Sequence, residues 1–518
     1  MSSGIHHITL ITRKVQANVD FYAGFLGLRL VKQTAGFEDA EQLHLFYGDA
    51  AGTPGSLVTF LVWEDGAPGR AGYGQIGEFA LAIQPESIGF WLTRALAAGL
   101  RPEGPRNELG EPVLRLKDPD GIIIKLVGVA GLRHAAPWAA DGIPPEHAVG
   151  NLRSATLFTE EQDLTRAFFT THFGYRPGMS DGAIERLVSD TGDALDLRNV
   201  QGFWSSAPGA GTVDHIALRA TSEQALEATE ASLRRSNATP TTIHDRKYFT
   251  SLYAREPGGV LVEMATDAPG MGVDEPQETL GSTLFIPQAP AGDEDAFRVV
   301  LPQFAMPGEP RVIYRELPFV HRFHTPETPD GGHIVLLHGS GGTETSLMPL
   351  AARTAPHATL LGVRGRATEE GAARWFRRLP QMRFDQADIR SEAEAFEAFC
   401  EGAAAAYGVK ASNTVHMGYS NGANFLAAFM RLHPGWVRKA VLIRPMDVLE
   451  ESPEADLTGV EVLMVVGAED RLTRQPQALC DTLSAAGATV TVETVAAGHF
   501  LTEADDPVVQ SWLETHTP

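Results

Sequence analysis

Two groups of residues in this chain could do chemistry by their types and order. One is Gly418-Tyr-Ser420-Asn-Gly422, followed downstream by Asp470 and then His499. A serine between two glycines, with an acid and a histidine after it, can carry out acyl transfer. The imidazole takes the hydroxyl proton, and the carboxylate holds the imidazole in the tautomer that does so. On this reading the backbone N–H groups of Ser340, in Leu337-His-Gly-Ser-Gly-Gly342, and of Asn421 form the oxyanion hole. The other group lies far upstream: His6-His7 at the start, then His215 and Glu263. Two neutral imidazoles and one carboxylate can grip a divalent metal on one side and leave its other positions open to small molecules.

A nucleophilic serine must be projected by a rigid element. Apolar, strand-sized runs occur at 333–337, 359–363, 415–417, 440–443, 460–466 and 490–495, and helical stretches alternate with them. That alternation predicts a mostly parallel sheet covered on both faces. A strand precedes Ser420 and the helical Ala423-Asn-Phe-Leu-Ala-Ala-Phe-Met follows it, the setting of a nucleophile elbow. Glu469 and Asp481 are nearby acids, but the strand ending in Gly467-Ala-Glu-Asp470 favours Asp470.

The upstream group sits inside a repeat. Residues 4–30 align without a gap on 151–177, so that Thr9 meets Thr156, Phe21 meets Phe168, Gly27 meets Gly174 and Arg29 meets Arg176. Lys117-Asp-Pro-Asp-Gly121-Ile-Ile-Ile-Lys125 likewise parallels Arg255-Glu-Pro-Gly-Gly259-Val-Leu-Val-Glu263, and 76–81 parallels 213–218. Four strand–helix–strands modules result, at residues 1–70, 71–145, 146–208 and 209–290. The repeat is its own control. Where the first module has His7, the third has Ser154; where the fourth has His215 and Glu263, the second has Glu78 and Lys125. A residue demanded by the shared fold would recur. These ligand-type residues occur once each, which assigns them to a single site built by the first and last modules.

Four such modules resemble the vicinal oxygen chelate superfamily, whose paired βαβββ units form half-open barrels around a metal, over residues 4–290. Within it, His6-His7-x-Thr9 with Arg246, Tyr253 and Glu263 resembles the extradiol dioxygenases that open para-hydroquinone rings. The resemblance implies His7, His215 and Glu263 as ligands of Fe(II), with Mn(II) the alternative, and a small aromatic diol and dioxygen as substrates. It places His6, Thr9, Arg246 and Tyr253 in the substrate pocket, where Tyr253 and His6 can pass protons and Arg246 can stabilise charge on a ring oxygen. Asp214, grouped with Thr9 as substrate-binding, stands where that family often has a second histidine. The rival is a glyoxalase-type isomerase with carboxylate ligands, for which Glu78 could supply one while Lys125 occupies the other corresponding place. A metal-free aromatic-binding module is the non-enzymatic alternative. Residues 315–518 resemble the phospholipase/carboxylesterase family of α/β-hydrolases, through the triad, Val363-Arg-Gly365 and Arg374-Trp-Phe-Arg-Arg378. That implies an ester or acyl substrate.

Composition bounds the alternatives. At 518 residues the chain exceeds one hydrophobic core. The expected division is 1–305 and 314–518, joined by a linker at 306–313, with a helical stretch near 293–303 finishing the first part. A net charge of −23 argues against a nucleic-acid partner. Apolar runs are strand-sized, so no membrane span is expected. The two cysteines, Cys400 and Cys480, make no disulfide framework, and the N-terminus lacks a signal-peptide pattern. A cytoplasmic small-molecule enzyme is the expectation, with homo-oligomerisation left open.

Overall fold

Alternation along the strands sets what each sheet presents, and pairing between modules sets which residues meet. The computed structural model describes residues 2–516 apart from 38, 133–137, 139, 288–293, 312–313, 380–382, 452 and 474. The chain divides into two compact units, Met1–Gln288 with Gln303–Arg311, and Ala289–Pro302 with Val312–Pro518.

The first unit repeats one βαβββ order four times. Module one is β1 (Ser2–Thr12), α1 (Val15–Val19), β2 (Arg29–Ala35), β3 (Leu43–Gly48) and β4 (Leu57–Val62). Module two is β5 (Gln75–Ile83), α2 (Ile88–Ala97), β6 (Glu103–Glu108), β7 (Glu111–Lys117) and β8 (Ile123–Gly128). Module three is β9 (Leu152–Thr159), α3 (Gln162–Phe173), β10 (Arg176–Asp181), β11 (Ile184–Val188) and β12 (Ala194–Asn199). Module four is β13 (Val213–Ala220), α4 (Glu223–Arg235), β14 (His244–Asp245), β15 (Phe249–Arg255) and β16 (Leu261–Pro269), and a short β17 (Leu284–Phe285) follows. The aligned glycines Gly27 and Gly174 both have φ of 71°, the left-handed turn that glycine enters without a Cβ clash.

Modules one and four share one sheet, ordered β14-β15-β16-β13-β1-β4-β3-β2-β17; modules two and three share another, β10-β11-β12-β9-β5-β8-β7-β6. Paired residues of neighbouring strands point to the same face. Tyr253 lies opposite Glu263, Glu263 opposite Ala217, and Ala217 opposite His7. His215 lies opposite Thr9, Thr9 opposite Thr59, and Thr59 opposite Phe46, two residues from His44. One face of the first sheet therefore carries every candidate ligand. Ile8 and Leu10, on the other face of β1, are fully buried.

The second unit has a sheet ordered β18-β20-β19-β25-β26-β27-β28. Its strands are β18 (His321–His324), β19 (His333–Leu337), β20 (Thr359–Val363), β25 (Thr414–Tyr419), β26 (Lys439–Ile443), β27 (Glu461–Gly467) and β28 (Thr489–Val495). All neighbours are parallel except β18, which runs antiparallel to β20. Two small hairpins, β21 (Ala367–Glu369) with β22 (Ala372–Arg374) and β23 (Arg378–Leu379) with β24 (Arg383–Phe384), lie between β20 and the long helix Gln386–Tyr407. Phe396 on that helix packs edge-on against Phe429 at 4.9 Å, and Trp375 stacks on Phe425 at 4.9 Å. No helix among the described residues is long and apolar enough to cross a membrane.

One boundary differs from expectation. The helix Glu294–Arg298 does not finish the first unit; it packs on the helix Met348–Thr354 of the second. Ala296 on that helix is buried, as are Val299, Val300 and Leu301 after it. Residues 303–311, expected in part as linker, belong to the first unit. Gln16 Nε2 donates to the Ala305 carbonyl at 2.9 Å, and Ala305 N donates to Gln16 Oε1 at 2.9 Å. Of the expected linker, 312–313 lie outside the described residues.

Candidate metal centre and catalytic triad

Because β1, β13 and β16 are neighbours, three residues distant in sequence converge. His7, His215 and Glu263 are buried, and one ligand-type atom from each lies within 4.8 Å of the others. His7 Nε2 is 3.1 Å and His215 Nε2 2.8 Å from Glu263 Oε2. Yet His215 Nε2 and both Glu263 oxygens have no hydrogen-bond partner among the described residues. Leaving such buried atoms unpaired costs about 1–3 kcal/mol each. Close approach without hydrogen-bond alignment is the pattern of lone pairs aimed at a shared point. Two imidazoles and a carboxylate so arranged fit a divalent cation such as iron or manganese, with part of its coordination sphere left free.

The outer nitrogens of both imidazoles are anchored. His215 Nδ1 lies 2.7 Å from Asp214 Oδ2, so Nδ1–H donates to the carboxylate and the Nε2 lone pair faces the cluster. Asp214, expected on substrate, lies within hydrogen-bond distance of a candidate ligand. His7 Nδ1 lies 2.9 Å from His6 Nδ1, and only one of the two atoms can carry the proton. With His7 Nε2 kept as a lone-pair donor, its Nδ1–H donates to His6, whose own proton then sits on Nε2.

Electrostatics follow from burial and pairing. Burial pushes His6 down to about 3 and lowers His7 as well, so both are neutral imidazoles. Burial would lower His215 too, but contact with Asp214 and Glu263 outweighs it and raises that imidazole to about 9, so Nε2 gives up a proton when a cation takes its lone pair. Burial would raise Glu263, yet His7 and His215 hold it well below the usual carboxylate range.

Around the cluster, the Tyr253 ring meets His215 edge-on at 5.5 Å, and the Arg246 guanidinium lies 5.7 Å from the Tyr253 ring. Burial and then the Glu263 charge raise the Tyr253 hydroxyl far above its ordinary value, so it keeps its proton. The Phe249 ring lies 5.3 Å from both His6 and His7. Thr9 Oγ1 is 2.9 Å from Thr59 Oγ1, which is 3.1 Å from His44 Nε2. Thr59 and His44 were not singled out from sequence, because no repeat or motif marks them; only strand pairing places them beside Thr9. Glu78, the ligand the isomerase reading would need, lies in the other sheet. Arg115 Nε bonds it at 2.9 Å and Lys125 Nζ lies 3.2 Å away, so the position equivalent to Glu263 holds an ammonium rather than a carboxylate.

The second unit assembles its triad at the carboxyl ends of the strands. Ser420 follows β25 with φ 51° and ψ −112°, a backbone region costing about 1–3 kcal/mol for a non-glycine residue. Ser420 N donates to the Ile443 carbonyl at 2.8 Å, and Asn424 N donates to the Ser420 carbonyl at 2.9 Å; these bonds hold the strained turn. A Cβ at Gly422 would collide with the Leu337 carbonyl, so glycine is required where β19 passes the elbow. Ser420 Oγ is 2.8 Å from His499 Nε2, and His499 Nδ1 is 2.9 Å from Asp470 Oδ2. Asp470 also accepts from Thr473 Oγ1 at 2.5 Å and from the N–H groups of Leu472 and Thr473. Burial opposes ionisation, but these bonds with that of His499 bring Asp470 down to about 2, a carboxylate through the neutral range. Asn421 opens the helix Asn421–Leu432, whose first N–H groups have no intrahelical acceptor. A Cβ at Gly339 would lie 3.6 Å from Ser420 Cβ, so the loop carrying Ser340 passes beside the nucleophile.

Comparison with known proteins separates along the same division. The profile of the Glyoxalase/Bleomycin resistance protein/Dioxygenase superfamily matches residues 4–126. A candidate ring-cleaving dioxygenase of Bacillus subtilis strain 168, MhqO, is 35% identical over 286 residues, covering 55% of this chain and 91% of that protein. The chain belongs to the ring-cleaving dioxygenases. The chlorohydroquinone/hydroquinone 1,2-dioxygenase of Sphingobium indicum is 29% identical over 305 residues, covering 56% of this chain and 94% of that one. A candidate hydrolase of Bacillus subtilis strain 168, MhqD, is 32% identical over 183 residues, covering 35% of this chain and 92% of MhqD. A carboxylesterase structure from Mesorhizobium loti is 42% identical, with a TM-score of 0.38, covering 39% of this chain and 97% of that one. The ring-cleaving dioxygenase unit is thus followed in one polypeptide by a hydrolase unit built on a mostly parallel sheet.

Proposed function

We propose that the first unit uses Fe(II) to open hydroquinone-like rings with dioxygen, in extradiol fashion, and that the second hydrolyses esters through Ser420. The observation that carries the first reading is the buried His7–His215–Glu263 cluster, whose atoms approach without hydrogen-bond alignment. The chain's likeness to a chlorohydroquinone/hydroquinone 1,2-dioxygenase supports the choice of substrate.

Held by His7, His215 and Glu263, Fe(II) would supply the redox link between an electron-rich ring and dioxygen; Mn(II) would use the same donors. The protein's own groups do the rest. Asp214 and His6 fix the ligand tautomers. Arg246 offers a positive charge to a ring oxygen that has lost its proton. Tyr253 keeps a proton that it can deliver to the substrate. Phe249 walls the histidine pair with an apolar ring. In the hydrolase unit, Ser420 Oγ attacks the ester carbonyl as His499 Nε2 takes its proton, and His499 then passes that proton to the leaving alcohol. The N–H groups of Ser340 and Asn421 would stabilise the oxyanion.

The test is oxygen uptake by the full-length protein reconstituted anaerobically with Fe(II) and given hydroquinone. His7→Ala and Glu263→Ala are each expected to lose bound iron and oxygen uptake while keeping hydrolysis of a simple ester. Normal iron content and uptake in both variants would overturn the site.

A further inference from the structure

The wall of the metal cup away from Tyr253 carries polar groups that the reading above does not use. His44 lies on β3, on the face shared with Thr59, Thr9 and His7. Its Nε2 is 3.1 Å from Thr59 Oγ1, and Thr59 is itself bonded to Thr9. That leaves Nδ1 without a protein partner among the described residues, on an imidazole that is only half-buried. Thr34 on β2 is the strand partner of His44, so the two side chains share that face. Thr34 is fully buried, and its Oγ1 has no hydrogen-bond partner among the described residues. Phe46, whose ring lies 4.1 Å from that of His44, and Phe285, the strand partner of Thr34, give this end of the face aromatic walls. Burial, helped by His7 and His215 and only partly opposed by the carboxylates of Glu263 and Asp214, lowers His44 to about 3, so it is a neutral imidazole able to donate or accept a hydrogen bond.

β3 is two strands from β1, about 10 Å along the sheet, and any curvature of the sheet toward this face brings the side chains closer. An aromatic ring with oxygens at opposite ends would therefore reach from the metal ligands toward this wall. We infer that His44 and Thr34 anchor the ring oxygen of a para-diol that lies distal to His7, His215 and Glu263. The inference rests on the ring-cleavage reading of hydroquinone-like substrates and adds the residues that would favour them over catechols, whose adjacent oxygens would both sit at the ligand end and leave this wall facing bare ring carbon.

The experiment is anaerobic titration of the Fe(II)-loaded full-length protein with hydroquinone, catechol and phenol, so that binding is read without turnover. Wild-type protein is expected to bind hydroquinone on the order of tenfold more tightly than phenol, the size of one hydrogen bond to a neutral group. His44→Leu and Thr34→Val should each narrow that ratio while leaving phenol affinity and iron content unchanged, and His44→Gln, which keeps a polar end, should restore part of it. If His44→Leu loses iron, Thr34→Val decides. An undiminished hydroquinone-to-phenol ratio in the iron-replete variants overturns the anchor alone. A wild-type protein that does not favour hydroquinone over phenol overturns the anchor together with the ring-diol reading.

Discussion

At the scale of single residues, the candidate metal cluster is flanked by groups that contact its residues away from the atoms that would face a cation. Asp214 holds His215 by its Nδ1–H, which fixes both ring orientation and tautomer. Asp214→Ala is expected to weaken iron binding by about 10–100-fold, the usual effect of losing such an anchor, as measured by competition with a chelator. An unchanged affinity would show that β13 alone orients the ring. Tyr253 is placed differently: it packs on His215 and keeps its hydroxyl proton. Tyr253→Phe removes only that hydroxyl, so iron content should hold while oxygen-dependent turnover of hydroquinone falls by about a hundredfold or more. Full turnover in the variant would reduce Tyr253 to packing.

At the scale of elements, tight turns between strands set the register that brings ligands together, and one of them carries a titrating group. Asp118, between β7 and β8, accepts from the N–H groups of Asp120 at 2.9 Å and Ile122 at 2.8 Å, and Tyr22 Oη donates to it at 3.2 Å. Burial nevertheless raises its carboxyl from 3.8 to about 7. An acid whose folded-state value is raised binds more protons folded than unfolded between those limits. Its contribution therefore makes stability fall as pH rises from about 4 to 7, with a ceiling of about 1.4 kcal/mol per pH unit. Asp118→Asn retains an oxygen acceptor without a titrating proton and should flatten that part of the curve. Unfolding midpoints of the dioxygenase unit between pH 4 and 8, compared with wild type, provide the measurement; an unaltered slope would assign it to another group.

At the scale of the whole molecule, two separate proteins of Bacillus subtilis, MhqO and MhqD, each match this chain over most of their own length. Fusion raises the effective concentration of one catalyst near the product of the other, which matters when that product is reactive. Opening a substituted hydroquinone can leave an activated acyl or ester-like group, a carbonyl that a serine nucleophile attacks. With such substrates the intact protein is expected to release hydrolysed product, and Ser420→Ala to accumulate the ring-opened acyl or ester compound. Identical products at identical rates from both proteins, for every ring substrate turned over, would show that the hydrolase serves a separate substrate.

The sequence by itself disclosed the four modules, because each must repeat the same strand spacing and turn glycines, as at Gly27 and Gly174. It disclosed the hydrolase fold through alternating apolar runs, and it selected His7, His215 and Glu263 as residues present in one copy of the repeat and missing from the other. These are local or periodic signals, written in the order of the chain. What faces what is not. That modules one and four share a sheet, and that Glu78 lies in the other, follows from strand pairing across more than two hundred residues. Asp214 acts on His215, and His44 and Thr34 join the same face, only once β-register is set. The helix Glu294–Arg298 belongs to the second unit through its packing on the helix Met348–Thr354. Residue types declare what chemistry is available; non-local pairing and burial decide which of them meet.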